Sequence, residues 1–264
     1  MLAEKRNYTT QFQAGLGMIS ETIELLRLWE PGMLPAHLAN HVVETGLFAR
    51  ATARRARNLA VEMFAPRYLE NGGIVASRIK TLLERRFPQE ALIQLFFLHT
   101  ARAQEIFRDF VVEVYWPKYS SGPTTLAKED GERFIRRSLD AGRMQMRWSE
   151  TTIMRVSGYL LGCCEDFELL SKGVRSQRTI KRFSIRPEIG LYLAYDLHLS
   201  GVSDMGLVQH PDWRLFGLEP ADVIRLLKNL SHDGNLLIQS SADLVQVSWK
   251  YRTMEECVDA LTQR

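Results

Sequence analysis

The chain has 264 residues, with 34 Lys and Arg against 31 Asp and Glu, 45% hydrophobic and 25% charged. That composition excludes the disordered and fibrous classes, and the length suffices for one large or two ordinary domains with real cores. The formal charge of +3 excludes a generally basic coating protein, but it is uneven. Residues 1–200 hold 28 basic and 22 acidic residues, and 201–264 hold 6 and 9. Any field that attracts a polyanion must therefore be local.

Helical periodicity runs through almost the whole chain. Ser20 caps a helix that ends at Pro31-Gly32. Pro35 opens a second helix to about Glu44, stopped by Thr45-Gly46. A third runs from about Ala49 to Ala65, before Pro66. Asn71-Gly72-Gly73 breaks the chain ahead of a helix to Phe87, and Pro88 opens a long amphipathic helix to about Tyr115. Ser120-Ser121-Gly122-Pro123 reads as a linker. Beyond it, Thr124 or Thr125 caps a helix through Asp140, and Ser149 caps another through about Glu165. Residues 168–186 lose the helical period and read as a hairpin or loop. Pro187 and Pro220 start two further helices, ending near Gly201 and at His232-Asp233-Gly234. Two short alternating runs around Ser240-Ser241-Ala242-Asp243 form a β-hairpin, and a helix from Met254 to Gln263 closes the chain.

This pattern predicts a mostly α fold in two helical domains. Residues 1–119 contain a helix-turn-helix-like segment at 34–65. Residues 120–264 contain winged-helix-like hairpins at 171–186 and 236–249.

Two segments concentrate positive charge. On the helix within 34–65, Arg50, Arg54 and Arg57 fall within about a 60° arc at 100° per residue, with Arg55 and Asn58 beside them. Ala49, Ala53, Ala56, Ala60 and Met63 form a small-residue stripe for close packing. Arginine forks suit phosphate oxygens and guanine edges. The segment 171–186 carries Lys172, Arg175, Arg178, Lys181, Arg182 and Arg186 and no acid, with Ser176-Gln177 at the expected tip. A basic hairpin after a helix is how a winged helix grips backbone phosphates. The helix and hairpin at 220–249 have the same order in acidic surroundings (Glu219, Asp222, Asp233, Asp243), which suits packing or protein contact.

Nothing points to catalysis, a cofactor or a small-molecule substrate. The phosphate-binding glycine loop, the dinucleotide fingerprint and the Gly-x-Ser-x-Gly elbow are all missing from the sequence. His37, His41 and Glu44 share a helix face without a second set of ligands. Ser77 and Lys80 have a Ser-x-x-Lys spacing that arises often by chance. Phe96, Phe97, Phe107, Phe110, Tyr115 and Trp116 read as core. Cys163, Cys164 and Cys257 write no disulfide framework and are expected to be reduced. Met1–Thr10 lacks a signal-peptide core, and the apolar run Ala91–Ala101 is far short of the roughly 20 residues of a spanning helix. A soluble, cytoplasmic chain is expected.

The order of segments resembles the BrxA family of BREX (bacteriophage exclusion) systems over roughly residues 8–200. The resemblance rests on Tyr8-Thr9-Thr10 and the glycine-containing stretch after it, then Ser20-Glu21-Thr22. It continues through Ala53-Arg54-Arg55-Ala56-Arg57 and the apolar helix around Leu95–Val112. Trp148-Ser149-Glu150-Thr151-Thr152 and Asp166-Phe167 complete it. It implies a mostly helical, DNA-binding protein of a phage-defence operon, similar in architecture to antitermination factors of the NusB type. The implied partners are double-stranded DNA and other BREX components: a methyltransferase, a large ATPase and an alkaline-phosphatase-like protein. Family members have been labelled inner-membrane proteins, a label from which the apolar-run count here departs. The resemblance carries over no catalytic residues. The alternatives are a protein–protein adaptor within the BREX complex and, by analogy of architecture alone, an RNA-binding factor.

Overall fold

A computed structural model describes residues 8–9, 17–49, 51–122, 124–144, 146–173, 177–241 and 244–263. It is mostly helical, with two small antiparallel two-stranded sheets among the described residues. The chain divides into two compact units, residues 1–77 with 96–183 and residues 78–95 with 184–264. The division expected at 119/120 falls inside the first unit.

The first unit opens with α1 (Ile19–Leu28) and α2 (Pro35–Glu44). The third helical path is made of α3 (Ala53–Asn58), a π-helical segment (Leu59–Phe64) and α4 (Ala65–Tyr68). The sequence predicts a stop before Pro66, yet the helix passes through it. Proline lacks an N–H and its ring collides with the carbonyl four residues back. Just upstream the turn widens, and the Ala65 N–H reaches Ala60 O, five residues back. This π-turn lets the helix go past the proline. The same device recurs downstream. After α5 (Ile74–Glu84), α6 (Gln89–Ala103) and α7 (Glu105–Phe110), a π-helical segment (Val111–Tyr115) carries the Trp116 N–H to Val111 O. Helix α8 (Trp116–Ser121) then continues across Pro117. The long helix expected from Pro88 to Tyr115 is interrupted at Gln104, whose φ of −127° and ψ of 88° are not helical.

Strand β1 (Thr125–Ala127) leads into α9 (Lys128–Asp140). Helix α10 (Glu150–Asp166) is capped by Ser149, whose Oγ accepts the Thr152 N–H. Strand β2 (Gln177–Thr179) pairs antiparallel with β1, with Leu126 opposite Arg178. An aromatic core fills the unit. Phe97 lies 5.9 Å from Phe107 and 5.6 Å from Phe167, and all three are buried. These ring contacts add to the burial itself.

The start of the described chain is tied into this core. Tyr8 is buried, and its Oη donates to Asp109 Oδ2 at 2.5 Å. Arg143 Nη1 lies 3.2 Å from the same Oη and 2.8 Å from Glu113 Oε1. Burial, and then the Asp109 carboxylate, push the Tyr8 phenol well above its ordinary range, so it remains a donor. Further along, the Gly17 N–H donates to Asp166 Oδ2 at 2.7 Å. A Cβ on Gly17 would sit 2.5 Å from Asp166 Cβ, so only glycine allows this approach. Met18 then packs with Leu59 and Met63, and Phe48 leans on the same cluster.

The second unit contains α11 (Pro187–Leu199), α12 (Asp204–Val208), a 3-10 turn (Pro211–Phe216) and α13 (Pro220–His232). Strands β3 (Leu236–Ser241) and β4 (Leu244–Trp249) follow, then α14 (Met254–Thr262). Its residues 78–95 supply Arg78, which bridges Asp196 and Glu255, and Arg85, which pairs with Asp259. Gln94 clips the entry to α11 by donating to Ser184 O and accepting the Arg186 N–H, both at 2.9 Å. The root of the hairpin is held by Tyr195. Its Oη donates to Asn235 O at 2.6 Å and accepts the N–H groups of Lys250 and Tyr251.

Removing the phenol in Tyr8→Phe leaves a buried carboxylate short of a donor. The unfolding free energy should fall by about 1–3 kcal/mol, read from denaturant titration. Gly17→Ala should also destabilise, because backbone rather than a flexible side-chain tip must give way.

Candidate nucleic-acid interface

The arginine helix begins later than its sequence pattern predicts. Thr52 is the cap, its Oγ1 accepting the Arg55 N–H at 3.2 Å, so regular helix starts at Ala53. Arg50 lies outside the described residues, and the arc expected to include it reduces to Arg54 and Arg57 on the helix itself. Arg54, Arg55 and Arg57 are exposed, and Asn58 is partly buried. Arg54 and Arg57 have no ion-pair partner among the described residues. The stripe beneath them is buried from Ala56 onward, through Ala60 and Met63, but Ala49 and Ala53 are exposed. The connection from α2 spans Thr45–Thr52, longer than the three or four residues of a helix-turn-helix turn.

The segment 171–186 differs from an isolated basic wing. It does fold back on itself, with the Ser171 N–H on Thr179 O at 2.8 Å and the Lys181 N–H on Leu169 O at 3.0 Å. Its strand β2, however, forms its ladder with β1. The acids missing from the segment come from its surroundings. Arg178 Nε lies 2.7 Å from Glu165 Oε2 on α10, and both side chains are about four-fifths buried. Lys181 faces Glu168 at 3.7 Å, and Arg186 faces Glu188 at 3.3 Å. Gly173 makes room for Arg178, since a Cβ there would meet its Cγ at 2.5 Å. Arg178 is thus a structural strut. Lys172 and Arg182 remain exposed, while Arg175 and Ser176 lie outside the described residues.

The two basic segments both adjoin residues 17–18. Gly17 contacts Asp166 at the end of α10, just before the basic segment, and Met18 packs on Leu59 and Met63, just after the arginine helix. Burial pushes the Asp166 carboxyl above its ordinary range, with the Gly17 N–H pulling it partly back.

A third basic surface was not singled out in the sequence. Arg133 and Arg137 stand one turn apart on α9 and are exposed, and Arg147 and Arg155 are exposed around the start of α10. Arg137, Arg147 and Arg155 have no ion-pair partner among the described residues. A groove of about 500 Å³ between α8 and α9 is lined by Lys118, Arg133, Arg136 and Arg137, with Asp130 and Asp140. The spacing Arg133-x-x-Arg136-Arg137 is the signal that finds this row. At the floor, buried Asp130 bonds Lys118 Nζ at 2.5 Å, Arg133 and the Ala127 N–H. Burial alone would raise its carboxyl. The Lys118 hydrogen bond, the backbone N–H and Arg133 outweigh burial and hold it below the ordinary carboxylate range.

The cysteines are buried thiols. Burial raises Cys163 and Cys164 far above their ordinary range and pushes Cys257 up to about 12. None is a reactive thiolate at neutral pH. Among the described residues no helix is long and apolar enough to cross a membrane, and no group of three His, Cys, Asp or Glu residues is placed to hold a metal.

The fold and its surface define a mostly helical protein with arginine-rich patches on one unit. The BrxA family profile matches residues 6–196, so the chain belongs to the BrxA family, a family of BREX phage-defence components. No curated protein matches the chain. The matched residues include every cation discussed above and stop within α11.

Arg178→Ala should lower stability by about 1 kcal/mol through loss of a largely buried pair, whereas Arg182→Ala should stay within about 0.5 kcal/mol of the parent; thermal or denaturant unfolding separates them. Asp130 supplies an acid limb. Its contribution is complete above the ordinary carboxylate pKa and fades as pH falls through its lower folded value. Asp130→Asn should flatten that limb in stability measured against pH.

Proposed function

We propose that the chain is a non-catalytic DNA-binding component of a BREX system that holds duplex DNA mainly through backbone phosphates. The observation that carries this reading is a set of exposed guanidiniums without acid partners among the described residues of the first unit: Arg54, Arg57, Arg137, Arg147, Arg155 and Arg182. Other arginines of this unit are neutralised by carboxylates, as Arg178, Arg143 and Arg108 are. Unmatched guanidiniums on packed helices and ordered segments suit phosphate oxygens, because the fork is rigid and needs no proton bookkeeping. Base readout has less support. The connection before the arginine helix is too long for a helix-turn-helix turn, and the expected wing is tied down by Glu165.

Arg54, Arg57, Lys172 and Arg182 are the assigned phosphate contacts, and Arg137 extends the set. Arg178 is removed from it as a strut. The protein–protein adaptor reading draws support from the second unit, whose residues from 201 onward are acidic in balance and whose hairpin has an uncharged outer face.

With about four to six phosphates neutralised, log affinity for generic duplex should fall against log salt with a slope of roughly −4 to −5. Replacing Arg54 and Arg57 by Ala, in a variant that stays folded, should weaken binding to every duplex alike and reduce the slope by about 2. Unchanged affinity and slope would remove the arginine helix from the interface. No duplex binding at low salt would leave the adaptor reading. Competition with single strands and structured RNA ranks the nucleic acids.

A further inference from the structure

The turn between α9 and α10 is anchored on both sides. Helix α9 ends at Gly142, whose φ of 69° is left-handed. The Arg143 N–H closes back on Ser138 O and the Gly142 N–H on Leu139 O, both at 3.0 Å, the Schellman pattern that stops a helix sharply. Arg143 is then held in place. Its carbonyl accepts the Tyr8 N–H at 2.8 Å, and its guanidinium donates to Glu113 and to the Tyr8 hydroxyl. On the far side Ser149 caps α10 by accepting the Thr152 N–H at 3.3 Å, and Glu150 pairs with Arg136 across the two helices at 2.5 Å. Met146 lies midway between the two anchors, three residues from Arg143 and three from Ser149.

This turn presents one apolar side chain among cations. Met146 is 77% exposed, the most exposed large apolar side chain among the described residues. Arg147 follows it, Arg137 is in the last turn of α9, and Arg155 is in the second turn of α10. All three arginines are exposed and have no ion-pair partner among the described residues. Residues 141–149 contain no acid. A lone exposed apolar residue is common and means little by itself. Among unmatched guanidiniums it is different. An apolar protein surface would desolvate the charges without pairing them, whereas a duplex offers phosphates to the arginines and base steps to the methionine. The shape of the element selects the groove. The minor groove is about 6 Å wide, too narrow for a helix but open to a turn. Minor-groove proteins combine arginine in the groove with an apolar wedge, methionine among them, between base steps. Parting a step costs stacking energy, so a wedge needs firm backing, and the two anchors supply it.

Given the duplex binding proposed above, we infer that the α9–α10 turn enters the minor groove. Arg147 lies in the groove, Met146 parts one base step, and Arg137 and Arg155 hold phosphates beside it. The duplex is thereby kinked toward its major groove, by roughly 20–90°. Such a wedge responds to deformability rather than to base edges, so flexible TA steps are favoured over stiff A-tracts.

The full chain and a short duplex of alternating TA steps, with a dye at each end and an internal 2-aminopurine, test this. On saturation, energy transfer between the dyes should rise and the 2-aminopurine should brighten as it unstacks. Met146→Ala, at an exposed side chain, should leave unfolding unchanged and abolish both signals. Its salt slope should match the native chain's, because no charge is lost. Met146→Leu should keep both signals, and Arg147→Ala should reduce the salt slope by about 1. A native chain that binds the duplex but leaves it straight and stacked overturns the wedge and leaves the phosphate contacts standing. A Met146→Ala variant that bends the duplex like the native chain does the same. No duplex binding at low salt overturns the wedge and the DNA-binding reading together.

Discussion

The first unit depends on how the start of the chain is held against two carboxylates. The Tyr8 hydroxyl donates a hydrogen bond to Asp109 inside the core, and the Gly17 N–H donates to Asp166 at the end of α10. These bonds span 101 and 149 residues of sequence. Each joins elements that have no local reason to meet. Met18, placed by Gly17, completes the apolar cluster under the arginine helix. The same few residues therefore fix α10, the basic segment that follows it, and the support of the Arg54–Arg57 row. Burying a carboxylate is costly unless it is bonded, so the tyrosine and the glycine are specified as tightly as any core residue.

That constraint explains the segments that carry the family resemblance. Tyr8 and Asp166 are anchors. Thr22 is buried against the core, Ser149 caps α10, and Glu150 pairs with Arg136 on α9 at 2.5 Å. A pattern that looks diffuse along the chain is a set of staples in space.

Electrostatic pairing then sorts the cations. Lysine and arginine counts treat every charge as equal, but a cation beside a carboxylate offers little field to a distant phosphate. Arg178 is spent on Glu165, and Lys118 and Arg133 share Asp130. Arg54, Arg57, Arg137, Arg147, Arg155 and Arg182 are not so matched among the described residues. The surface that attracts a polyanion is therefore narrower at 171–186, and broader at α9 and α10, than residue counting along the chain indicates.

Much of the architecture is written locally. Helical phase, the Ser149 cap, Pro35, Pro187 and Pro220 at helix starts, the Asn71-Gly72-Gly73 break and the 236–249 hairpin depend on neighbours a few residues away, and the sequence by itself determined them. It did not show that the helices cross Pro66 and Pro117, since a π-turn is selected by packing around it and has no composition of its own. Short elements such as α12, the 3-10 turn at 211–216 and β1 carry too few residues for a period. Tertiary structure alone decided that Arg178 is a strut and that Gly17 must be a glycine. It also decided that Asp204 takes the outward N–H of Val247 on the second hairpin. Each of these is settled by a residue far away in the chain, and only folding brings that residue within reach.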